Sequence, residues 1–187
     1  MRIISGTLGG RTIRPPAKMP YTRPTTDVAK TGLFNILGHH FNLEGIHTLD
    51  LFGGTGSISY ELASRGAAQL TIVEKDPAMA AFIQQTAKQL GIALQLVKMD
   101  VFKFMAQANE SYDFIFAGPP YALTEIDQIP IHIFERNLLK QGGWFVLEHT
   151  PRNQYRQHPF FKTERSYGTT VFSIFTNSVS NEQKAAS

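Results

Sequence analysis

The stretch His47-Thr48-Leu49-Asp50-Leu51-Phe52-Gly53-Gly54-Thr55-Gly56 runs an apolar segment straight into a glycine-rich turn, and residues 57–65 then read as a helix closed by Gly66. Glycines at such a turn let the backbone bend sharply and approach a ligand with no β-carbon in the way. A strand that ends in this turn and feeds a helix opens an α/β unit, which places any ligand beyond the strand's carboxyl end.

Working outward, strand and helix patterns alternate. Residues 69–74, 93–98, 112–116 and 144–147 are apolar and β-rich, and each reads as a strand. Between them lie helical stretches at 77–91, opening on Pro77, at 101–107, and at 126–139, ending near Gly142-Gly143. Residues 160–165 and 169–175 flank Tyr167-Gly168 and read as a closing hairpin. Upstream, Thr25 or Thr26 can cap a helix whose apolar positions Val28, Leu33, Phe34, Ile36 and Leu37 keep helical spacing. Two short alternating segments, 2–5 and 11–14, form an N-terminal hairpin. Pro15, Pro16, Pro20 and Pro24 follow it as an extended linker. The expected organisation is an N-terminal hairpin and linker over 1–24, an α/β domain over 25–177 with a mostly parallel sheet, and a frayed tail over 178–187.

The 187 residues suffice for one domain with a full core, and 42% hydrophobic against 18% charged content is an ordinary globular balance. Cysteine is absent, which excludes disulfides and thiolate metal sites. No apolar run is long enough to span a bilayer and no signal-peptide core is present, so the expected compartment is the cytoplasm, with no membrane partner. The net charge of +3 is unevenly placed. Arg2, Arg11, Arg14, Lys18, Arg23 and Lys30 crowd the first 30 residues against the single acid Asp27, and Arg152, Arg156, Lys162 and Arg165 form a second cluster. Clustered cations suit phosphate contacts with nucleic acid, and a solvated surface arm is the plainer alternative. Arg2, Arg11, Arg14, Arg23 and Lys30 are the candidate nucleic-acid contacts, Arg23 and Lys30 foremost.

Three acids stand at three successive strand ends: Asp50, Glu74 and Asp100. Asp50, ahead of the turn formed by Phe52, Gly53, Gly54 and Gly56, can face the ammonium of S-adenosylmethionine. Glu74 can accept both hydroxyls of an adenosine ribose. Asp100 can accept the adenine amino group, with Val101 against the ring. A dinucleotide oxidoreductase wants a third glycine where Ser59 stands, so that fingerprint is incomplete. Plainer roles exist for two acids here: Asp76 can cap the helix at Pro77, and Asp100 the helix at Val101. His39-His40 ends a helix and suits its C-terminal dipole, and Glu148-His149 lacks a third ligand at metal-site spacing. The expected cofactor is S-adenosylmethionine, with no metal.

Taken in order, Arg23-Pro24-Thr25-Thr26-Asp27, Leu33-Phe34-Asn35, Asp50-Leu51-Phe52-Gly53-Gly54-Thr55-Gly56, Ser64-Arg65-Gly66-Ala67 and Pro119-Pro120-Tyr121 resemble the 16S rRNA guanine-N2 methyltransferases of the RsmD type. The resemblance covers the chain from Met1 to about Phe175. It implies a Rossmann-like class I methyltransferase with a seven-stranded sheet and a small N-terminal β-hairpin. It also implies methyl transfer from S-adenosylmethionine to a guanine of 16S rRNA, either free or in a 30S assembly particle.

The resemblance breaks at one position. Gly118-Pro119-Pro120-Tyr121 aligns with an Asn/Asp-Pro-Pro-Tyr signature and carries glycine where the family's acceptor side chain stands. An aromatic amine is a poor nucleophile, and an acceptor there would hold its hydrogens and stabilise charge developing on nitrogen. Tyr121 can stack on the base and the prolines stiffen the loop, while the base itself must be splayed out. Losing one such hydrogen bond costs about 10²–10³ in rate. The carbonyls of Gly118 and Pro119 could suffice, or Glu125 or Asp127 could substitute. A binding-only ribosome-assembly relative and a DNA adenine-N6 methyltransferase stay open as alternatives.

Overall fold

The computed structural model describes residues 1–19 and 24–178. Five strands carry the alternating core pattern: β1 (His47–Leu51), β2 (Gln69–Val73), β3 (Gln95–Val97), β4 (Tyr112–Ala117) and β5 (Leu139–His149). Helices α1 (Asp27–His40), α2 (Ser57–Ser64), α3 (Pro77–Leu90), α4 (Val101–Gln107) and α5 (Gln128–Glu135) precede or connect them, and β6 (Phe161–Tyr167) and β7 (Thr170–Thr176) close the chain. The sheet order is β3-β2-β1-β4-β5-β7-β6. Strands β1 to β5 are parallel, β7 runs antiparallel to β5, and β6 antiparallel to β7. This is the mostly parallel, seven-stranded Rossmann-like arrangement expected.

Both faces are buried because both parities of the central strands are apolar. Ile115, Ala117, Phe145 and Leu147 pack with α4 and α5 through Phe104, Met105, Ile129 and Ile133. Phe114, Phe116, Trp144 and Val146 pack the opposite way, with Leu33, Phe34 and Leu37 of α1 and Ile58 and Leu62 of α2. Each such fully buried side chain contributes about 1.5–3 kcal/mol before ordering entropy. Thr26 caps α1, its Oγ1 accepting from Ala29 N at 3.2 Å. Asp76 caps α3 through Met79 N at 2.9 Å.

Two boundaries differ from the sequence reading. Helix α5 stops at Glu135, and Gly142-Gly143 lies inside β5 instead of ending a helix. The β4–β5 register slips between Tyr112 and Phe114. Gly142 takes φ +76°, and a β-carbon on Gly143 would sit 2.8 Å from the Asp113 carbonyl, so the glycines form an irregularity pressed against β4.

The N-terminal segment makes one antiparallel bridge, Arg2 with Thr12, rather than two full strands. Ile3 and Ile13 bury against Tyr60, with Phe82 and Leu90 of α3 alongside. The arm is also anchored through charge. Glu61, fully buried, accepts from Ile4 N at 2.8 Å and Ser5 N at 3.1 Å, and pairs with Arg65 at 3.0 Å and Lys30 at 3.5 Å. Lys30 also donates to Arg2 O and Ser57 Oγ. The expectation of Lys30 as a phosphate contact is thereby corrected: at 1% exposure it is an internal strut. Burial lowers its pKa, and the Glu61 carboxylate opposes that shift. A helical period cannot distinguish a lysine facing solvent from one facing a buried acid. Arg23, within the expected linker, and residues 179–187 of the expected tail lie outside the described residues.

Candidate active site

Strand order reverses between β1 and β4, whose register pairs Leu51 with Ala117. The loops leaving these two strands therefore emerge side by side, the position at which open α/β sheets hold ligands. The first is Phe52 to Gly56 and the second Gly118 to Tyr121, linked by Gly118 N donating to Leu51 O at 3.4 Å.

The first loop is built for close approach. Phe52 takes φ +65°, an uncommon conformation for a bulky residue, and Gly56 takes φ +80° at the N-cap of α2. A β-carbon on Gly53 would lie 2.3 Å from Ile72 Cγ2, so only glycine lets this loop lie against β2. Glu74 fixes the loop from the neighbouring strand end. One carboxylate oxygen accepts from Gly54 N at 2.8 Å and the other from Asp76 N at 2.8 Å.

A cleft of about 440 Å³ opens over these strand ends, within the usual range for small-molecule sites. Phe52, Gly54, Glu74, Asp100, Val101, Gly118, Pro119, Pro120 and Tyr121 all line it. The sequence reading did not assign Met19, Lys75, Met99, Phe102, Leu123 or Glu148, which line it too. A small adjoining pocket holds Asp50, Gly53 and Thr55 and shares Phe52, Gly54, Gly118 and Glu148 with the cleft, so these four residues form a wall common to both. Asp100 also caps α4, accepting from Phe102 N at 2.9 Å and Lys103 N at 3.3 Å, so the plainer capping role and a place in the cleft coexist.

Asp50 is the electrostatic focus. It is 2% exposed and accepts from Ser59 Oγ at 2.9 Å. Desolvation holds its pKa well above the ordinary carboxylate range. The Ser59 hydrogen bond opposes that shift, and the charges of Glu74 and Glu148 add to it. A cation in the small pocket would lie against Asp50 and Glu148, the two acids that line it. Ser59, which breaks the dinucleotide fingerprint, is the residue that orients Asp50.

At the other end, Tyr121 is 38% exposed at the rim, and its hydroxyl approaches Glu148 Oε1 at 3.4 Å and Thr170 Oγ1 at 3.5 Å. The two acids considered as stand-ins for the missing side chain are engaged elsewhere. Glu125 is exposed and accepts from Thr124 Oγ1, Asp127 accepts from Tyr155 Oη at 2.8 Å, and neither lines the cleft. Glu148, which the sequence offers only as a metal ligand lacking its partners, lies in the cleft instead. The signal available was its position, an acid closing an apolar strand, as with Glu74. Among the described residues no cluster of three or more His, Asp or Glu could hold a metal ion.

Arg2, Arg11 and Arg14 are exposed on the arm, with Arg2 3.9 Å from Asp27. The C-terminal cations are partly occupied: Arg156 pairs with Glu164, and Lys162 lies over the Trp144 ring at 5.6 Å.

Residues 1–176 match the family model described as Conserved hypothetical protein 95. The chain belongs to this family. Similar relatives carry the name ribosomal RNA small subunit methyltransferase D. That of Escherichia coli K12 is 32% identical over 79% of this chain and 71% of its own length. That of Buchnera aphidicola subsp. Baizongia pistaciae is 26% identical over 95% and 92%. Among solved structures, a hypothetical protein of Thermus thermophilus, TTHA0928, superposes with a TM-score of 0.83 at 26% identity, covering 94% of this chain and 99% of that one. The family is thus that of the RsmD-type methyltransferases, and the match spans the arm as well as the α/β domain.

Proposed function

We propose that this protein transfers a methyl group from S-adenosylmethionine to the exocyclic N2 of a guanine in 16S rRNA, free or within a 30S assembly particle, in the cytoplasm. The observation that carries the reading is the Asp50 pocket adjoining the cleft lined by Gly118-Pro119-Pro120-Tyr121 at the switch point. A buried anionic site suited to an ammonium thus lies beside an apolar, aromatic-rimmed site suited to a base. No described helix is long and apolar enough to cross a membrane.

The donor set fits the cofactor. Asp50 would hold the ammonium, Glu74 the ribose hydroxyls, and Asp100 with Val101 the adenine, while the Gly53 to Gly56 turn admits the backbone close to the ligand. When bound, S-adenosylmethionine supplies an electrophilic sulfonium methyl whose bonding pair stays with sulfur. The chain's task is to orient and desolvate the acceptor nitrogen. Tyr121 stacks the splayed base at the rim, Pro119 and Pro120 hold the loop rigid, and Arg2, Arg11, Arg14 and Arg23 contact phosphates.

Gly118 favours a second reading, a binding-only relative engaged in ribosome assembly, since it removes one acceptor from the signature. Calorimetric titration of S-adenosylmethionine should give saturable heat, and the absence of heat removes the cofactor. Tritium transfer from the labelled cofactor to 30S particles or naked 16S rRNA separates the two readings. Counts at background refute the enzyme.

A further inference from the structure

We propose that Glu148 takes over the role of the side chain that Gly118 lacks, its carboxylate accepting the hydrogens of the target amino group; this rests on the guanine-N2 reading above. Ala117 of β4 pairs with Leu147 of β5 at the last rung of the ladder, and Gly118 and Glu148 are the residues that follow it on the two strands. Their parity is that of Phe116 and Val146, which face α1. Side chains at neighbouring parallel positions point the same way. A β-carbon built on Gly118 would lie 3.0 Å from Phe116 Cε1 and 3.5 Å from Glu148 Oε2, so this oxygen and the Phe116 ring edge together bound the space a side chain there would enter.

Glu148 is 5% exposed yet lines both the main cleft and the Asp50 pocket, at their junction. It is held in place rather than loosely swung: Thr25 Oγ1 donates to Oε2 at 2.7 Å, and the Tyr121 hydroxyl reaches Oε1. Each carboxylate oxygen can accept more than one hydrogen bond, so the contacts to Thr25 and Tyr121 do not by themselves preclude one from an amine. When the N–CH3 bond forms, one N–H proton must leave. The carboxylate accepts it and releases it to water at the rim by Tyr121.

Binding of two nucleosides to the full chain, with S-adenosylhomocysteine present, tests the assignment without turnover. Guanosine carries the 2-amino group and inosine lacks it. By saturation-transfer NMR the wild type should prefer guanosine about tenfold, the factor expected of one hydrogen bond to a charged group. Glu148→Met, close to isosteric, should bind both equally, and Gly118→Asp added to it should restore the preference. Should the Met variant unfold, Glu148→Gln serves, with the preference falling at least about threefold. Equal affinities in the wild type, or a preference that survives loss of the carboxylate, overturn the proposal. A guanosine preference that is lost with the carboxylate, without label transfer to rRNA, would keep Glu148 as the amino-group acceptor and overturn methyl transfer together with the proton step.

Discussion

Glu61 and Lys30 form a buried ion pair that docks the N-terminal arm, and removing its two halves should have very unequal effects. Glu61→Gln leaves the Lys30 ammonium, 1% exposed, without its counter-charge beside the Arg65 guanidinium. It also weakens the acceptance from Ile4 N and Ser5 N. Breaking a buried pair by removing one partner costs about 3–5 kcal/mol. Lys30→Met differs. Burial already lowers the lysine pKa, so the ammonium is held at a desolvation cost that Glu61 only partly offsets. What is lost is donation to Arg2 O and Ser57 Oγ, about 1 kcal/mol each, while Glu61 keeps Arg65 and both amides. The methionine then regains some of this through packing. The expected order is Glu61→Gln worse than Lys30→Met by about 2 kcal/mol. With m-values of about 2 kcal/mol/M in urea, that separates the midpoints by about 1 M. Trp144, buried and the single tryptophan, reports unfolding by fluorescence. The double variant should cost less than the sum, since both changes act on one pair. If Lys30→Met is the worse of the two, or if the costs add, the electrostatic account of the arm is wrong.

Other outcomes follow from the site. Cofactor affinity should rise with pH while Asp50 is still protonated in the free protein, then level off once it is ionised, because a bound ammonium displaces that proton. Titrations in buffers of different ionisation enthalpy should show proton release, absent in Asp50→Asn. The same raised pKa gives Asp50 a contribution to the free protein's stability that is fully present below the ordinary carboxylate pKa and is lost as pH rises through the folded value. Gly56→Ala places a side chain at φ +80° with its β-carbon 2.4 Å from the Tyr60 ring. That should cost about 1–2 kcal/mol of backbone strain and about 1–3 kcal/mol more from overpacking. A thermal melt within error of wild type would contradict it. Arg11→Ala and Arg14→Ala should each weaken rRNA binding equally for all sequences and reduce the salt slope by about one unit. A change in sequence preference instead would mark these residues as base readers.

The fold was legible because its signal is periodic and local: apolar runs alternating with helical spacing, punctuated by Gly66, Gly91 and Pro77. Where a glycine pair served a different purpose the reading failed, as at Gly142-Gly143, which presses β5 against β4 instead of ending a helix. The acids at the β1, β2 and β3 ends were legible for the same reason, since strand ends are where parallel sheets gather ligands. Two things were not. Lys30 reads as a surface cation until the depth of Glu61 on another helix is known. Glu148 follows an apolar run as Glu74 does, but its place beside Gly118 comes from the pairing of two strands that are distant in sequence, which the local pattern does not reveal.

The most direct test of the central claim is nucleoside mass spectrometry of 16S rRNA after incubation, as naked rRNA and as 30S particles, with the full chain and S-adenosylmethionine. The account predicts accumulation of N2-methylguanosine to a single site per rRNA. N6-methyladenosine in its place, or no methylated nucleoside while the cofactor binds, would contradict it.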